Sequence, residues 1–153
     1  MFPDSIFVSC DDFIMSQRFK IVGTTADVAI VAYGESLQKL FIHAAEGLIT
    51  ILTNPKQINK NQKKEIKLHG SDLENLMVKW LAEILYLFEV KEFLGKNFII
   101  HSLDNKFLHS EVIGENFESK KHSIHTEIKA ITYHQLNLKR QKGQWMAKII
   151  FDL

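Results

Sequence analysis

Residues 71–88 constrain the fold more than any other part of the sequence. Their large apolar side chains recur at steps of three and four, which places them along one side of a helix. These are Leu73, Leu76, Met77, Trp80, Leu81, Ile84, Leu85 and Phe88. Fully burying each of them contributes roughly 1.5–3 kcal/mol. A helix with such a face needs a sheet to cover it, so we expect a core element.

The ends of two helices are also marked in the sequence. Ser71 is a suitable N-cap for the helix just described, and Glu74 completes a capping box three residues later. A second amphipathic helix is predicted over Leu37–Leu52, with Ser36 as its N-cap and Pro55 after its end.

The rest of the sequence predicts about seven strands. We place them at residues 18–22, 28–33, 65–69, 98–100, 107–114, 126–138 and 145–152. Gly95 is interpreted as a break after the helix, residues 104–106 as a hairpin turn and residues 115–123 as a polar loop.

Single helices between runs of strands are typical of an α+β fold. We predict a two-layer sandwich in which two main helices pack on one face of a mostly antiparallel or mixed sheet. Residues 17–153 are predicted to form this domain. Residues 1–16 lack a clean period and are predicted to be an N-terminal extension, either disordered or an edge segment.

The composition excludes several classes of protein. The net charge of +1 gives no general electrostatic reason to bind nucleic acid. The single cysteine excludes an internal disulfide and a cysteine-based zinc cage. No run of about 18 apolar residues could span a membrane, and no signal peptide is evident. We therefore expect a cytoplasmic protein with no membrane partner; its oligomeric state is not indicated.

Several candidate residues have two possible interpretations, one structural and one functional. His122 and His125 are three residues apart, which suits either an ordinary loop or two zinc ligands that lack a local third partner. His134 is either a satisfied sheet histidine or a catalytic one. The basic residues within 56–64 form either a solvated loop or an RNA contact. No P-loop, GxGxxG, HExxH or nucleophile elbow occurs in the sequence.

Three carboxylates form the candidate site of greatest interest. Asp27 is either a turn residue that bonds the backbone of residues 24–25 or a metal ligand. Asp152 and the terminal carboxylate of Leu153 are further hard oxygen donors. If the last strand pairs beside the strand of Asp27, the three groups converge and repel one another unless a cation joins them. Oxygen ligands favour calcium, magnesium or manganese over zinc.

Several motifs together resemble the archease family over roughly residues 17–153. Residues 25–30 (TADVAI) and 32–34 (AYG) are similar to the family signature HTADVGI…AYG. Residues 126–134 (TEIKAITYH) and the closing FDL are specific in combination. Further matches are Leu40-Phe41, residues 44–48, 72–76 and 80–87, Gly114-Glu115 and His122. The family usually carries Asp-His where this chain has Gly23-Thr24, and glycine where it has Ala29.

The resemblance implies a small cytoplasmic, non-enzymatic activator of an RtcB-type RNA ligase. Such a ligase uses manganese and GTP, passes through a guanylylated histidine and joins RNA ends in tRNA splicing and RNA repair. The activator promotes guanylylation and multiple turnover, and meets RNA only indirectly. The resemblance also implies that Asp27, Asp152 and the terminal carboxylate of Leu153 bind a divalent metal ion, calcium in the first place and manganese or magnesium as alternatives.

Two other functions stay open. One is a chaperone or assembly factor for RNA-modifying enzymes, a role also proposed for the family. The other is a metal-dependent enzyme that acts on a phosphate through the same carboxylates. The enzyme hypothesis is weakened because no general base stands beside Asp27 in the sequence.

Overall fold

The computed structural model describes residues 17–23 and 26–153. These residues form two α-helices, one short 3₁₀ helix and seven strands. They are β1 (Phe19–Gly23), β2 (Asp27–Gly34), α1 (Leu37–Leu52), the 3₁₀ helix (Pro55–Gln57), β3 (Gln62–His69), α2 (Leu73–Glu89), β4 (Phe93–Leu103), β5 (Phe107–Asn116), β6 (Ala130–Gln141) and β7 (Gln144–Asp152). No helix in this part of the chain is long and apolar enough to cross a membrane. The extension predicted at residues 1–16 lies outside the described residues.

The strands form two antiparallel sheets. The first has the order β1-β2-β7-β6 and the second the order β3-β5-β4. The predicted α+β class, with two helices and about seven strands, is confirmed. The first sheet combines the hairpin β1-β2 with the hairpin β6-β7, which come from the two ends of the chain. The second sheet contains β3, β4 and β5, which come from the middle of the chain. α1 packs against both sheets, and both helices contribute to one core.

The two helices are joined through the largest buried side chain. Trp80 of α2 is fully buried, and its indole N–H donates a hydrogen bond of 2.8 Å to the carbonyl oxygen of Phe41 in α1. This bond satisfies the only polar atom of the tryptophan side chain. The predicted apolar face of α2 is therefore confirmed as core; its end residues Leu73 and Phe88 are half-buried.

The N-cap of α2 differs from the prediction by one residue. Asp72, not Ser71, is the N-cap, and its Oδ1 accepts a hydrogen bond of 2.8 Å from the backbone N–H of Asn75. The Asn75 side chain in turn accepts a bond of 3.0 Å from the N–H of Ser71. Asp72 serves better as the cap because its charge also interacts with the positive end of the helix dipole.

This cap can be tested by substitution. Asp72→Ala is expected to lower the free energy of unfolding by about 1 kcal/mol, because it removes the acceptor for an N–H at the helix end. Ser71→Ala is the matched control, since the Ser71 side chain does not cap the helix, and should change it by less than about 0.5 kcal/mol. Urea denaturation measures both. A larger loss for Ser71→Ala than for Asp72→Ala would contradict the assignment.

Several strand boundaries also differ from the prediction. Gly95 does not end an element but lies within β4, opposite Gly114 of β5. A Cβ on Gly114 would overlap the backbone of Leu94, so glycine is required there by close strand approach. Residues 115–116 belong to β5, whereas residues 126–129 precede β6. The β-rich composition of residues 126–129 was misleading because Ile128 is buried without belonging to a strand.

Pairs between β2 and β7 set the orientation of the first sheet. The paired residues Val28–Phe151, Ile30–Ile149 and Ala32–Ala147 are buried in the core. Gly47 of α1 lies against Ile30, where a Cβ would come within 3.0 Å of that side chain. The small residue lets α1 approach the core face of the sheet closely. Residues between these pairs therefore point to the opposite, outer face.

Candidate functional site

Asp27 and Asp152 lie directly opposite each other on neighbouring strands. Asp27 begins β2, Asp152 ends β7, and the two are register partners. Directly opposed residues of an antiparallel pair have Cα atoms about 4.5–5.5 Å apart and side chains on the same face. The next pair, Val28 and Phe151, is buried, so strand alternation places the two aspartates on the outer face. The fold thus brings together two acids separated by most of the chain.

The position of Asp152 is fixed by strands on both sides. It pairs with Asp27 of β2 and with Ala130 of β6, and its carbonyl oxygen accepts a hydrogen bond of 2.8 Å from the N–H of Lys129. Its side chain is exposed, whereas that of Asp27 is half-buried. Leu153 follows immediately and packs its side chain against the core. The third predicted ligand group is therefore one residue beyond the aspartate pair.

The donor set at this sheet end fits a hard divalent cation. Two neighbouring carboxylates repel each other, and a shared cation removes that repulsion. Calcium takes six to eight oxygen ligands and accepts waters among them, so two aspartates and a terminal carboxylate would supply only part of its shell. The described residues contain no cluster of three His, Cys, Asp or Glu side chains suited to a metal. The alternative in which Asp27 bonds the backbone of residues 24–25 involves positions outside the described part.

A buried ionic cluster around Glu115 was not predicted from the sequence. Its Oε2 accepts hydrogen bonds from Lys121 Nζ at 2.7 Å, from His122 Nε2 at 2.8 Å and from the backbone N–H of Asn59 at 2.9 Å. His122 Nδ1 accepts the N–H of Glu118 at 2.9 Å, so the ring proton is on Nε2. The only sequence signal was the match of Glu115 and His122 to the family pattern; the predicted polar loop gave no sign of burial.

The charge of Glu115 is maintained despite its burial. Burial alone would raise its pKa, but the hydrogen bonds from Lys121, Asn59 and His122 and the charge of Lys121 lower it to about 2. Because both ring nitrogens of His122 are engaged, that imidazole is not available as a zinc ligand. The hypothesis that His122 and His125 form a zinc site is therefore wrong, and the cluster has a structural role.

A second group of imidazoles and carboxylates lies on the three-stranded sheet. His109 Nε2 is 2.7 Å from Glu65 Oε2, and His101 Nε2 is 3.6 Å from Glu111 Oε1. The hydrogen bond with His109 and the charge of Lys67 hold the pKa of Glu65 below its ordinary value. These are cross-strand contacts at an accessible sheet face: the first joins β5 to β3, and the second joins β4 to β5.

Comparison with known proteins identifies the family. The chain matches the model of the Archease protein family (MTH1598/TM1083) over residues 19–153. It is 32% identical over 141 residues to protein archease of Methanosarcina mazei, covering 90% of this chain and 97% of that protein. It is 35% identical over 133 residues to protein archease of Pyrococcus furiosus, covering 84% and 94%. The chain belongs to the archease family.

Solved structures agree with this assignment. The solution structure of Methanobacterium thermoautotrophicum protein 1598 has a TM-score of 0.74 and 26% identity, covering 88% of this chain and 98% of that one. A Thermotoga maritima crystal structure, described as an archease and possible chaperone, has a TM-score of 0.58 and 22% identity, covering 86% and 94%. The second likeness shows the shared fold.

Proposed function

We propose that this chain is a non-enzymatic activator of an RtcB-type RNA ligase, promoting ligase guanylylation and repeated turnover in tRNA splicing and RNA repair in the cytoplasm. The observation that carries the proposal is the register pairing of Asp27 with Asp152 on the outer face of the first sheet. Membership of the archease family supports it.

The chemistry of the acidic pair suits a role at another protein's active site. Asp27, Asp152 and the terminal carboxylate of Leu153 would hold a divalent ion, calcium in the first place and manganese or magnesium as alternatives. When bound, the ion supplies positive charge that can stabilise phosphate oxygens at the ligase's nucleotide site. The exposed position of Asp152 at a strand end lets a partner surface approach it. The carboxylates repel an RNA backbone, so contact with RNA is indirect.

The proposal is tested by adding the full chain to a ligase from the same organism with GTP and manganese. We expect faster formation of guanylylated ligase and more RNA joined per ligase molecule. An unchanged guanylylation rate under these conditions contradicts an activator role. RNA or nucleotide processing by the chain without any ligase would instead indicate the metal-dependent phosphate enzyme.

Metal binding has a readout that does not need the ligase. Calcium at one hundred times its dissociation constant is expected to stabilise the folded chain by about 2.7 kcal/mol, seen as a rise in the thermal midpoint. Asp152→Asn should remove most of this rise, because it deletes one of the paired ligands. A C-terminal extension should weaken it too, since it converts the Leu153 carboxylate into an amide. Equal stabilisation of the wild type and Asp152→Asn would place the ion elsewhere.

A second candidate is a chaperone or assembly factor for RNA-modifying enzymes. The description of the Thermotoga maritima relative as a possible chaperone favours it. It predicts that the chain suppresses aggregation of such an enzyme during refolding, and that Asp152→Asn suppresses it equally well. If Asp152→Asn lost both aggregation suppression and ligase stimulation, the result would count against a separate chaperone function.

A further inference from the structure

A preformed groove lies where the C-terminal ends of the two helices meet the segment that precedes β6. Its volume is about 380 Å³. Its lining combines an apolar floor with a rim of three glutamates. A cavity of this size accommodates one or two large side chains.

Hydrogen bonds hold the walls of the groove in place. The N–H of His125 donates to the carbonyl oxygen of Leu52 at 2.7 Å, and Thr53 Oγ1 donates to the carbonyl oxygen of Ser123 at 2.6 Å. On the other side, the N–H of Phe117 donates to the carbonyl oxygen of Glu92 at 2.7 Å. Because hydrogen bonds already hold the walls, ligand binding costs little conformational entropy in ordering them.

The floor is apolar and partly open to solvent. Leu52 and Ile128 are each 1% exposed and form its base. Phe88 and Phe117 meet edge to face with ring centroids 5.5 Å apart. Ile124 is 38% exposed and is one of six large apolar residues of the described chain that are exposed. An apolar ligand group would cover this surface.

The rim determines the charge of the occupant. Glu89, Glu92 and Glu127 are exposed, and none forms an ion pair with a lysine, arginine or histidine of the described residues. Three carboxylates around an apolar floor repel phosphodiester chains and anionic membranes. They attract a cationic segment that carries an apolar anchor.

We propose that this groove binds a linear peptide segment of a partner protein in which one or two large apolar side chains are flanked by lysine or arginine. The apolar side chains occupy the floor, and the basic residues pair with the glutamates of the rim. This surface is separate in its chemistry from the Asp27–Asp152 pair and goes beyond the activator proposal, because it requires neither a metal ion nor a nucleotide.

The probe is a fluorescein-labelled ten-residue peptide in which leucine and phenylalanine alternate with arginine. It is titrated into the full chain, with binding followed by fluorescence anisotropy and by backbone amide shifts. We expect saturable binding, with shifts concentrated at Leu52, Phe88 and Ile124. The combined variant Glu89→Gln, Glu92→Gln and Glu127→Gln should weaken binding at least tenfold, and Ile124→Ser should also weaken it.

Matched controls separate the groove from general charge attraction. Glu35→Gln removes an exposed glutamate beyond the other end of α1, a helix of 16 residues and thus about 24 Å long, and should bind the peptide as the wild type does. A peptide with serine in place of its apolar residues, or with glutamate in place of arginine, should bind at least tenfold more weakly. Asp152→Asn should bind normally, so failure of the activator proposal and failure of this one are distinguishable.

Three results would overturn the proposal. Equal binding of the serine peptide would show charge attraction alone, and absence of amide shifts at the groove would show that the peptide binds elsewhere or not at all. Self-association of the chain that is lost in the triple glutamine variant would assign the groove to a second copy. Sedimentation velocity of the chain without peptide measures that last outcome.

Discussion

Asp152→Asn is expected to eliminate the stimulation of ligase guanylylation, returning the rate to that of the ligase alone. The substitution keeps the shape of the side chain and removes its charge. Since Asp152 is the register partner of Asp27, the change leaves a single side-chain carboxylate at this sheet end. Asp27 and the terminal carboxylate of Leu153 remain, but the opposed pair of charged side chains is lost, so the site has one negative charge fewer with which to hold the ion.

The fold should survive this substitution. The backbone of Asp152 pairs with β2 and β6, and its carbonyl oxygen accepts the N–H of Lys129. None of these bonds uses the exposed carboxylate. A substitution at such a surface position usually changes stability by less than about 0.5 kcal/mol. An intact thermal transition without calcium, combined with lost stimulation, would separate the functional role of Asp152 from a structural one.

Two comparisons make this prediction specific. Asp27→Asn should cause the same loss, and the double variant should lose nothing further, because the two acids act as one unit. Glu35→Gln removes another exposed acid, beyond the far end of β2, and should stimulate the ligase as the wild type does. Full stimulation by Asp152→Asn would show that the acidic pair is not the functional site, whatever its geometry.

Local patterns in the sequence account for the parts of the fold that were predicted well. The boundaries of α1 match the prediction because its apolar face, the Ser36 cap and the following Pro55 all indicate the same segment. The alternation along β7 identified its core face for the same reason, since Ala147, Ile149 and Phe151 are buried. Each of these features depends on side chains within a few residues of one another.

Features that depend on distant residues were missed or left conditional. The convergence of Asp27 and Asp152 required β2 and β7 to pair, and no local pattern specifies partners more than a hundred residues apart. Gly95 was misread because its partner Gly114 lies in another strand. Only the folded chain shows that a Cβ is excluded where these strands meet. The N-cap of α2 was misplaced by one residue for a different, local reason: the adjacent residues Ser71 and Asp72 are both good caps.

The buried cluster around Glu115 gives the largest expected effect on stability. Glu115→Ala is expected to lower the free energy of unfolding by roughly 2–4 kcal/mol, because it leaves the N–H of the fully buried His122 ring without its acceptor and removes a buried side chain. Lys121 contributes less, since its side chain is 34% exposed and can be solvated. Glu118→Gln is the control: that side chain is exposed and outside the cluster, so the loss should be below about 0.5 kcal/mol. Chemical denaturation at pH 7 measures both.

The pH dependence of the same cluster shows how much of this effect comes from the charge. The pKa of Glu115 is lowered from 4.5 to about 2 in the folded chain, so its ionised form stabilises the fold fully above pH 4.5 and progressively less as the pH falls toward 2. Between pH 7 and pH 3 the stability difference between the wild type and Glu115→Gln should shrink by about 2 kcal/mol. A difference that stays constant over this range would mean that neutral hydrogen bonding, and not the carboxylate charge, holds Lys121 and His122.

The loss of the Glu115 charge would also affect the groove, because Phe117 stacks on His122 with ring centroids 5.8 Å apart and lines one wall. Loss of the charge should therefore loosen that wall before the rest of the fold, and amide exchange at Phe117 should increase more than amide exchange in α1.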